Sequence, residues 1–185
     1  RIAGGAGGID RADALSEKLD VRTNGAAIPK LDKRIQQELI QKAGLRSVPQ
    51  AGGSVFSAVE EFLKTEPFPV VVKPIESAGS DAVKLCHNLE DAKEHFELLV
   101  NSRLMRPTEG PAVLVQEFIR GKEYVIDHVS RDGNHKVMMI WYYDRRPANA
   151  TDYVHFGCVP VDSDSPEAMI LIQYVRAALN AMGVE

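Results

Sequence analysis

The feature that most limits what this chain can fold into is the run Pro69-Val70-Val71-Val72-Lys73-Pro74-Ile75-Glu76-Ser77-Ala78-Gly79-Ser80-Asp81-Ala82-Val83-Lys84-Leu85. A β-branched apolar stretch ends in one lysine, crosses a small-residue turn and resumes as a second apolar stretch, so it reads as strand, loop, strand. Lys73 closes a segment whose other residues want burial, and burying an ammonium is costly unless it meets an anion. Ser77-Ala78-Gly79-Ser80 is small enough to turn its backbone N–H groups toward a phosphate. The alternative is a surface hairpin whose lysine snorkels to water.

A second stretch favours the phosphate reading. Ala112 to Asp127 is again strand, tight connection, strand, with Gly121 at the turn and Glu123 two residues later. Upstream, Leu31-Asp32-Lys33-Arg34 opens a helix with apolar positions Leu31, Ile35, Leu39 and Ala43. Asp32 is placed to cap it, leaving Lys33 in the first turn, where a cation opposes the helix dipole. Lys30 and Arg34 are neighbouring cations that compete for the same role.

With these three segments in order, separated by 40 residues from Lys33 to Lys73 and 44 from Lys73 to Glu117, the chain resembles the ATP-grasp superfamily. The resemblance implies an α+β ATP-grasp fragment: an αβ lid subdomain and an antiparallel sheet with flanking helices. It divides the chain into residues 1–47 (end of an N-terminal domain and linker helix), 48–118 (lid) and 119–185 (first part of the C-terminal subdomain). It assigns Lys33 and Lys73 to the ATP phosphates, with Ser77, Ala78, Gly79 and Ser80 as a lid loop closing on them. At the adenine edge it places the carbonyl of Gln116 or Glu117 and the N–H of Ile119, with Val71, Phe118 and Ile119 as apolar walls. Glu123 accepts from the ribose.

Glu123 to Gly133, leading to Ile140-Trp141-Tyr142-Tyr143, is similar to the amino-acid ligase branch, which includes bacilysin-type dipeptide ligases and carnosine synthase. That implies ATP-dependent joining of a carboxylate to an amine through an acyl phosphate. Trp141, Tyr142, Arg145 and Arg146 then lie near substrate, and Arg145 or Arg146 is the candidate catalytic clamp on a carboxylate or acyl phosphate. The alternative for Trp141 is core, and for the arginines a solvated surface. The rival functions are a biotin-carboxylase or carbamoyl-phosphate-synthetase type of subunit, and a nucleotide-binding module without chemistry.

The family binds magnesium through an acidic residue and a Glu-x-Asn pair after the helix that closes this sequence. Only Val184 and Glu185 follow Gly183, so the metal ligands are expected C-terminal to residue 185. The start on Arg1 and the turn Gly4-Gly5-Ala6-Gly7-Gly8 likewise read as an excerpt of a larger protein, inactive alone. The five histidines show no ligand spacing with either cysteine. A P-loop and a nucleophile elbow are both absent from the sequence.

Composition narrows the partners. A net charge of −4 argues against a nucleic-acid binder, which carries a basic face. No apolar run approaches the ~18 residues of a membrane span. Cys86 and Cys158 sit in apolar runs and read as buried free thiols of a reducing cytoplasm. ATP and small carboxylate and amine substrates are the expected partners, with a homo-oligomer as an option.

Further elements complete the reading. Val48–Gln50 is expected as a short strand, with Ser54 capping a helix through Val55, Val59 and Leu63. Asn88 and Asp91 form a capping-box-like start to a helix whose apolar face is Leu89, Ala92, Phe96, Leu99 and Val100. Arg131-Asp132-Gly133-Asn134 is a hairpin turn, and Arg145–Asp152 a polar loop. Ser165 caps a last helix with Pro166 at its first position, a stripe of Leu171, Val175, Ala178, Leu179 and Met182, and Gly183 at the stop.

Overall fold

The structure, a computed structural model, describes residues 9–21, 32–75, 82–102, 112–148 and 151–184. Among these the order is α1 (Ile9–Lys18), α2 (Lys33–Lys42), β1 (Gln50–Gly53), α3 (Ser57–Thr65), β2 (Val70–Pro74), β3 (Lys84–Cys86), α4 (Leu89–Asn101), β4 (Val113–Glu117), β5 (Tyr124–Arg131), β6 (Asn134–Ala148), β7 (Thr151–Pro160) and α5 (Pro166–Ala181). The chain forms two compact units, one of residues 1–41 and 46–119, the other of residues 42–45 and 120–185. This is the mixed α+β pattern expected from the sequence.

In the first unit β2 and β3 form the expected antiparallel hairpin, pairing Val70 with Cys86 and Val72 with Lys84. They belong to a four-stranded antiparallel sheet in the order β1-β4-β2-β3. Strand periodicity sends Val70, Val72 and Pro74 inward and leaves Val71 and Lys73 half-buried on the other face. On the inward face Val59 and Leu63 of α3, with Ala92, Phe96 and Leu99 of α4, pack on Val70, Val72, Cys86, Val113 and Val115. Phe56 meets Phe96 edge to face at 5.6 Å. Lys73 pairs with Leu114, Val71 with Gln116 and Gln50 with Gln116. Directly paired residues share a face, so the face turned from the helical core carries Lys73, Gln116 and Gln50.

Side-chain caps set the helix starts. Asp32 Oδ1 accepts from the N–H groups of Arg34 (2.8 Å) and Ile35 (3.0 Å), which puts Lys33 at the first position of α2. Asn88 Oδ1 accepts from Asp91 N at 2.9 Å, while the Asp91 carboxylate reaches back to His87 N. Ser165 Oγ accepts from Ala168 N at 3.2 Å.

In the second unit β5, β6 and β7 form an antiparallel sheet in sequence order. The Asp132-Gly133 turn has positive φ at both residues, +53° and +72°, as a type I′ hairpin requires. Ile140 is buried, and Asn180 near the end of α5 bonds to His135 at 3.2 Å.

Five local expectations are corrected. The first strand begins at Gln50 and runs through both glycines to Gly53. Gly53 is needed there, because a Cβ on it would lie 2.7 Å from Ala58 Cβ. The helix α3 begins at Ser57, later than a start capped by Ser54 would place it. The chain turns through Val55 and Phe56, with Val59 N bonding to Phe56 O, and the N-cap position falls to Phe56, which makes no side-chain cap bond. Leu89 is 41 % exposed, since the first turn of α4 overhangs the sheet. Residues 145–148 and 151–152 are strand, not loop: Arg145 pairs with His155 and Ala148 with Thr151, across two register shifts. Charge is accommodated in this ribbon by contacts within it, Arg145 lying 5.0 Å from the Tyr143 ring centre and Arg146 5.3 Å from that of Phe156. Cys158 is exposed on edge strand β7, whereas Cys86 is buried, as expected. Burial pushes the Cys86 thiol up to about 11.

The α5 stripe is narrower than expected. Ala168, Ala178 and Leu179 are buried, and Leu171, Val175 and Met182 are half-buried.

Candidate nucleotide site

The first unit brings two of the predicted cations together. Lys73 stands at the end of β2, half-buried on the sheet face opposite the helical core. Burial and, second, the charge of Lys33 push its ammonium down to about 8. Lys33 reaches it because the Asp32 cap starts α2 at that residue, and its Nζ donates to the Ile75 carbonyl at 3.1 Å, one residue beyond β2. Two ammonium groups brought together where one is half-buried repel each other. They suit a polyanion, which would satisfy both, and a triphosphate is such a group. Ser77, Ala78, Gly79 and Ser80, assigned to the same phosphates, lie outside the described residues.

The expected adenine edge lies at the end of β4. That strand has a partner on each side until Glu117, whose N–H donates to the Pro49 carbonyl at 3.0 Å. Residues 118–120 then leave the ladder, so backbone groups from Phe118 onward leave the strand pairing. Gln116 is 6 % exposed, and its Nε2 donates to Gln50 Oε1 at 2.8 Å. Gln50 Nε2 in turn donates to the Arg34 carbonyl at 2.9 Å. Glu117 turns its carboxylate to Arg46. Val71 and Phe118 are half-buried, while Ile119 is 58 % exposed. Sequence reading missed Gln50 and Arg46. The available signal was two glutamines in otherwise apolar or small-residue strands, a pattern that calls for mutual hydrogen bonding once buried.

The second unit holds Glu123, Arg145 and Arg146. Glu123 precedes β5, its carbonyl accepts from Tyr143 N at 2.9 Å, and its carboxylate lies 3.2 Å from Arg145 Nε. That pair is close enough for charge attraction but misaligned for a hydrogen bond, and Arg145 Nε is left without one. Arg146 donates through Nε to Asp144 at 2.7 Å, and this bond holds the Asp144 carboxyl below its usual range. Trp141 is half-buried, its indole N–H donating to Asp127 at 2.9 Å, so it is not a sealed core residue.

Among the described residues no three of His, Cys, Asp or Glu converge as a metal ion would require. The described residues do not by themselves form a magnesium site.

Comparison with known proteins gives the class of the fold: the chain belongs to the ATP-grasp family, whose ATP-grasp domain model matches residues 66–185. It is 27% identical over 164 residues to dapdiamide A synthase of Enterobacter agglomerans, covering 84% of this chain and 39% of that protein. The structure is similar to the L-amino acid ligase of Bacillus licheniformis, with TM-score 0.70, 17% identity, and coverage of 94% of this chain and 39% of that one. It is equally similar to the biotin carboxylase domain of the 2-oxoglutarate carboxylase of Hydrogenobacter thermophilus, with TM-score 0.72, 18% identity, and coverage of 97% and 42%. The chain thus spans about two-fifths of the length of these relatives.

Proposed function

We propose that this chain is the ATP-binding part of a carbon–nitrogen ligase that joins a carboxylate to an amine, with an amino acid as one substrate. The observation that carries the reading is the meeting of two cations in the first unit: Lys73, half-buried on β2 with its ammonium pushed down to about 8 by burial and by Lys33, and Lys33, whose Nζ donates to the Ile75 carbonyl just beyond that strand. The choice of amino-acid substrates rests on the sequence similarity to dapdiamide A synthase, because fold similarity extends equally to a biotin carboxylase domain.

In this reading Lys73 and Lys33 hold the β- and γ-phosphates, and the N–H groups of Ser77, Ala78, Gly79 and Ser80 close on them. The backbone of Gln116, Glu117 and Ile119 reads the adenine edge, and Phe118 supports the ring. Glu123 takes the ribose hydroxyls and Arg145 steadies it. Arg145 or Arg146 clamps the carboxylate substrate. A carboxylate oxygen attacks the γ-phosphorus as the bond to the β–γ bridging oxygen breaks, giving acyl phosphate and ADP. The amine nitrogen then adds to the acyl carbon, loses a proton and expels phosphate, leaving the amide. The two lysines stabilise the negative charge that builds on the β-phosphate oxygens. The same reading divides the chain at 47/48 and 118/119, and the free thiols agree with a cytoplasmic setting.

Amino-acid-dependent ADP release by the full-length protein tests the proposal. ADP release that depends on bicarbonate and not on any amino acid would move the protein to the carboxylase type. Binding without turnover would make it a nucleotide-binding module. In hydrogen exchange, the amides of Ser77 to Ser80 should gain protection when ATP is added; no gain would remove that segment from the phosphate site.

A further inference from the structure

We propose that Gln50 is a positioning residue that fixes the spacing between the phosphate cations and the adenine edge; the inference rests on the ATP-binding reading above. The two halves of the nucleotide contact in the first unit come from different elements. Lys33 is on α2, and the adenine edge follows β4. The Gln116 and Gln50 side chains join them. Gln116, just before the strand leaves the ladder, donates to Gln50 Oε1 at 2.8 Å. Gln50 donates to the carbonyl of Arg34, the residue after Lys33, at 2.9 Å.

The direction of this relay is set by chemistry. A backbone carbonyl only accepts, so Gln50 must present its amide NH2 to Arg34, which leaves its oxygen for the NH2 of Gln116. Gln116 is 6 % exposed, where an amide without a partner is strongly disfavoured. The relay therefore holds a single geometry. A second tether, from Val48 N to Gln37 Oε1 at 2.8 Å, keeps α2 against the sheet when Gln50 is changed. Loss of Gln50 should loosen the spacing without releasing the helix.

A residue that sets spacing matters only to a ligand that spans it. In the full-length protein, Gln50→Leu breaks both bonds, and Gln50→Glu keeps the acceptor for Gln116 while replacing the donor to Arg34 with a repelling oxygen. Binding of ATP, adenosine and inorganic tripolyphosphate to each is followed by titration NMR, with thermal melting alongside. ATP affinity should fall about tenfold in both variants, the scale of one buried hydrogen bond, while adenosine and tripolyphosphate stay within about twofold of wild type. A folded variant with wild-type ATP affinity overturns the inference, and so does equal weakening of all three ligands, which would make Gln50 merely structural. If the leucine variant fails to fold, the glutamate variant decides. Failure of the wild-type chain to bind ATP would overturn the ATP reading itself, an outcome distinct from unaffected Gln50 variants.

Discussion

Replacing Lys73 by methionine should stabilise the nucleotide-free protein and weaken its hold on ATP. Methionine keeps the length and apolar stem of the side chain and removes the charge. The folded-state pKa of Lys73, about 8 against an ordinary 10.5, is depressed first by burial and then by Lys33. The folded chain thus releases a proton that the unfolded chain still holds between those values, so this group makes stability rise with pH across that window. Below about pH 8 both states are protonated and the folded state carries the whole penalty. Taken at face value the shift corresponds to ~3 kcal/mol. Half-burial lets solvent screen part of it, which leaves ~1–2 kcal/mol. Urea unfolding at pH 7 should show Lys73→Met more stable by that amount, with the gap closing by about pH 10.5. Calorimetry should show ATP affinity lowered at least tenfold, the scale of a charge-assisted contact. A variant no more stable than wild type at pH 7, or a gap that does not change with pH, would refute the argument.

Lys33→Gln should move Lys73 toward its ordinary range, which shows as a smaller rise in stability above pH 8 in the same urea series. Glu123→Gln should raise the KM for ATP about three- to tenfold in the full-length enzyme with kcat nearly unchanged, as expected for uniform binding. A change confined to the amino-acid KM would move Glu123 to the substrate pocket. Gly53→Ala should lower stability by ~1–3 kcal/mol in thermal melts, because its Cβ would sit 2.7 Å from Ala58 Cβ. Phe96→Ala, emptying a fully buried site between α4 and the sheet, should lose ~3–5 kcal/mol.

The legible parts of the chain were those decided by neighbours in sequence. Asp32, Asn88 and Ser165 bond to N–H groups two or three residues away, and the Asp132-Gly133 turn needs only its own dihedrals. The β2–β3 hairpin follows from a period-2 pattern that alternates burial along β2. The misread parts were decided at a distance. The start of α3 falls at Ser57 rather than near Ser54, and Phe56 before it packs on Phe96, 40 residues on. Arg145 and Arg146 look like loop residues until their guanidinium groups are seen over the rings of Tyr143 and Phe156, with β7 supplying the ladder. Gln50 means little in sequence, because its partners come from α2 and β4.

The same distinction bears on the site. Lys73 is unusual less because it is charged than because β2 places it on a face where nothing among the described residues offsets it, beside a second cation. A hairpin selected for stability alone would carry threonine or valine at that position, residues that suit a half-buried strand without desolvating a charge. A ligand that brings its own negative charge reverses the balance: the burial that disfavours the two ammonium groups by themselves strengthens their attraction for phosphate. Stability and affinity at Lys73 should therefore move in opposite directions under substitution. A lysine merely tolerated at a surface hairpin would move neither.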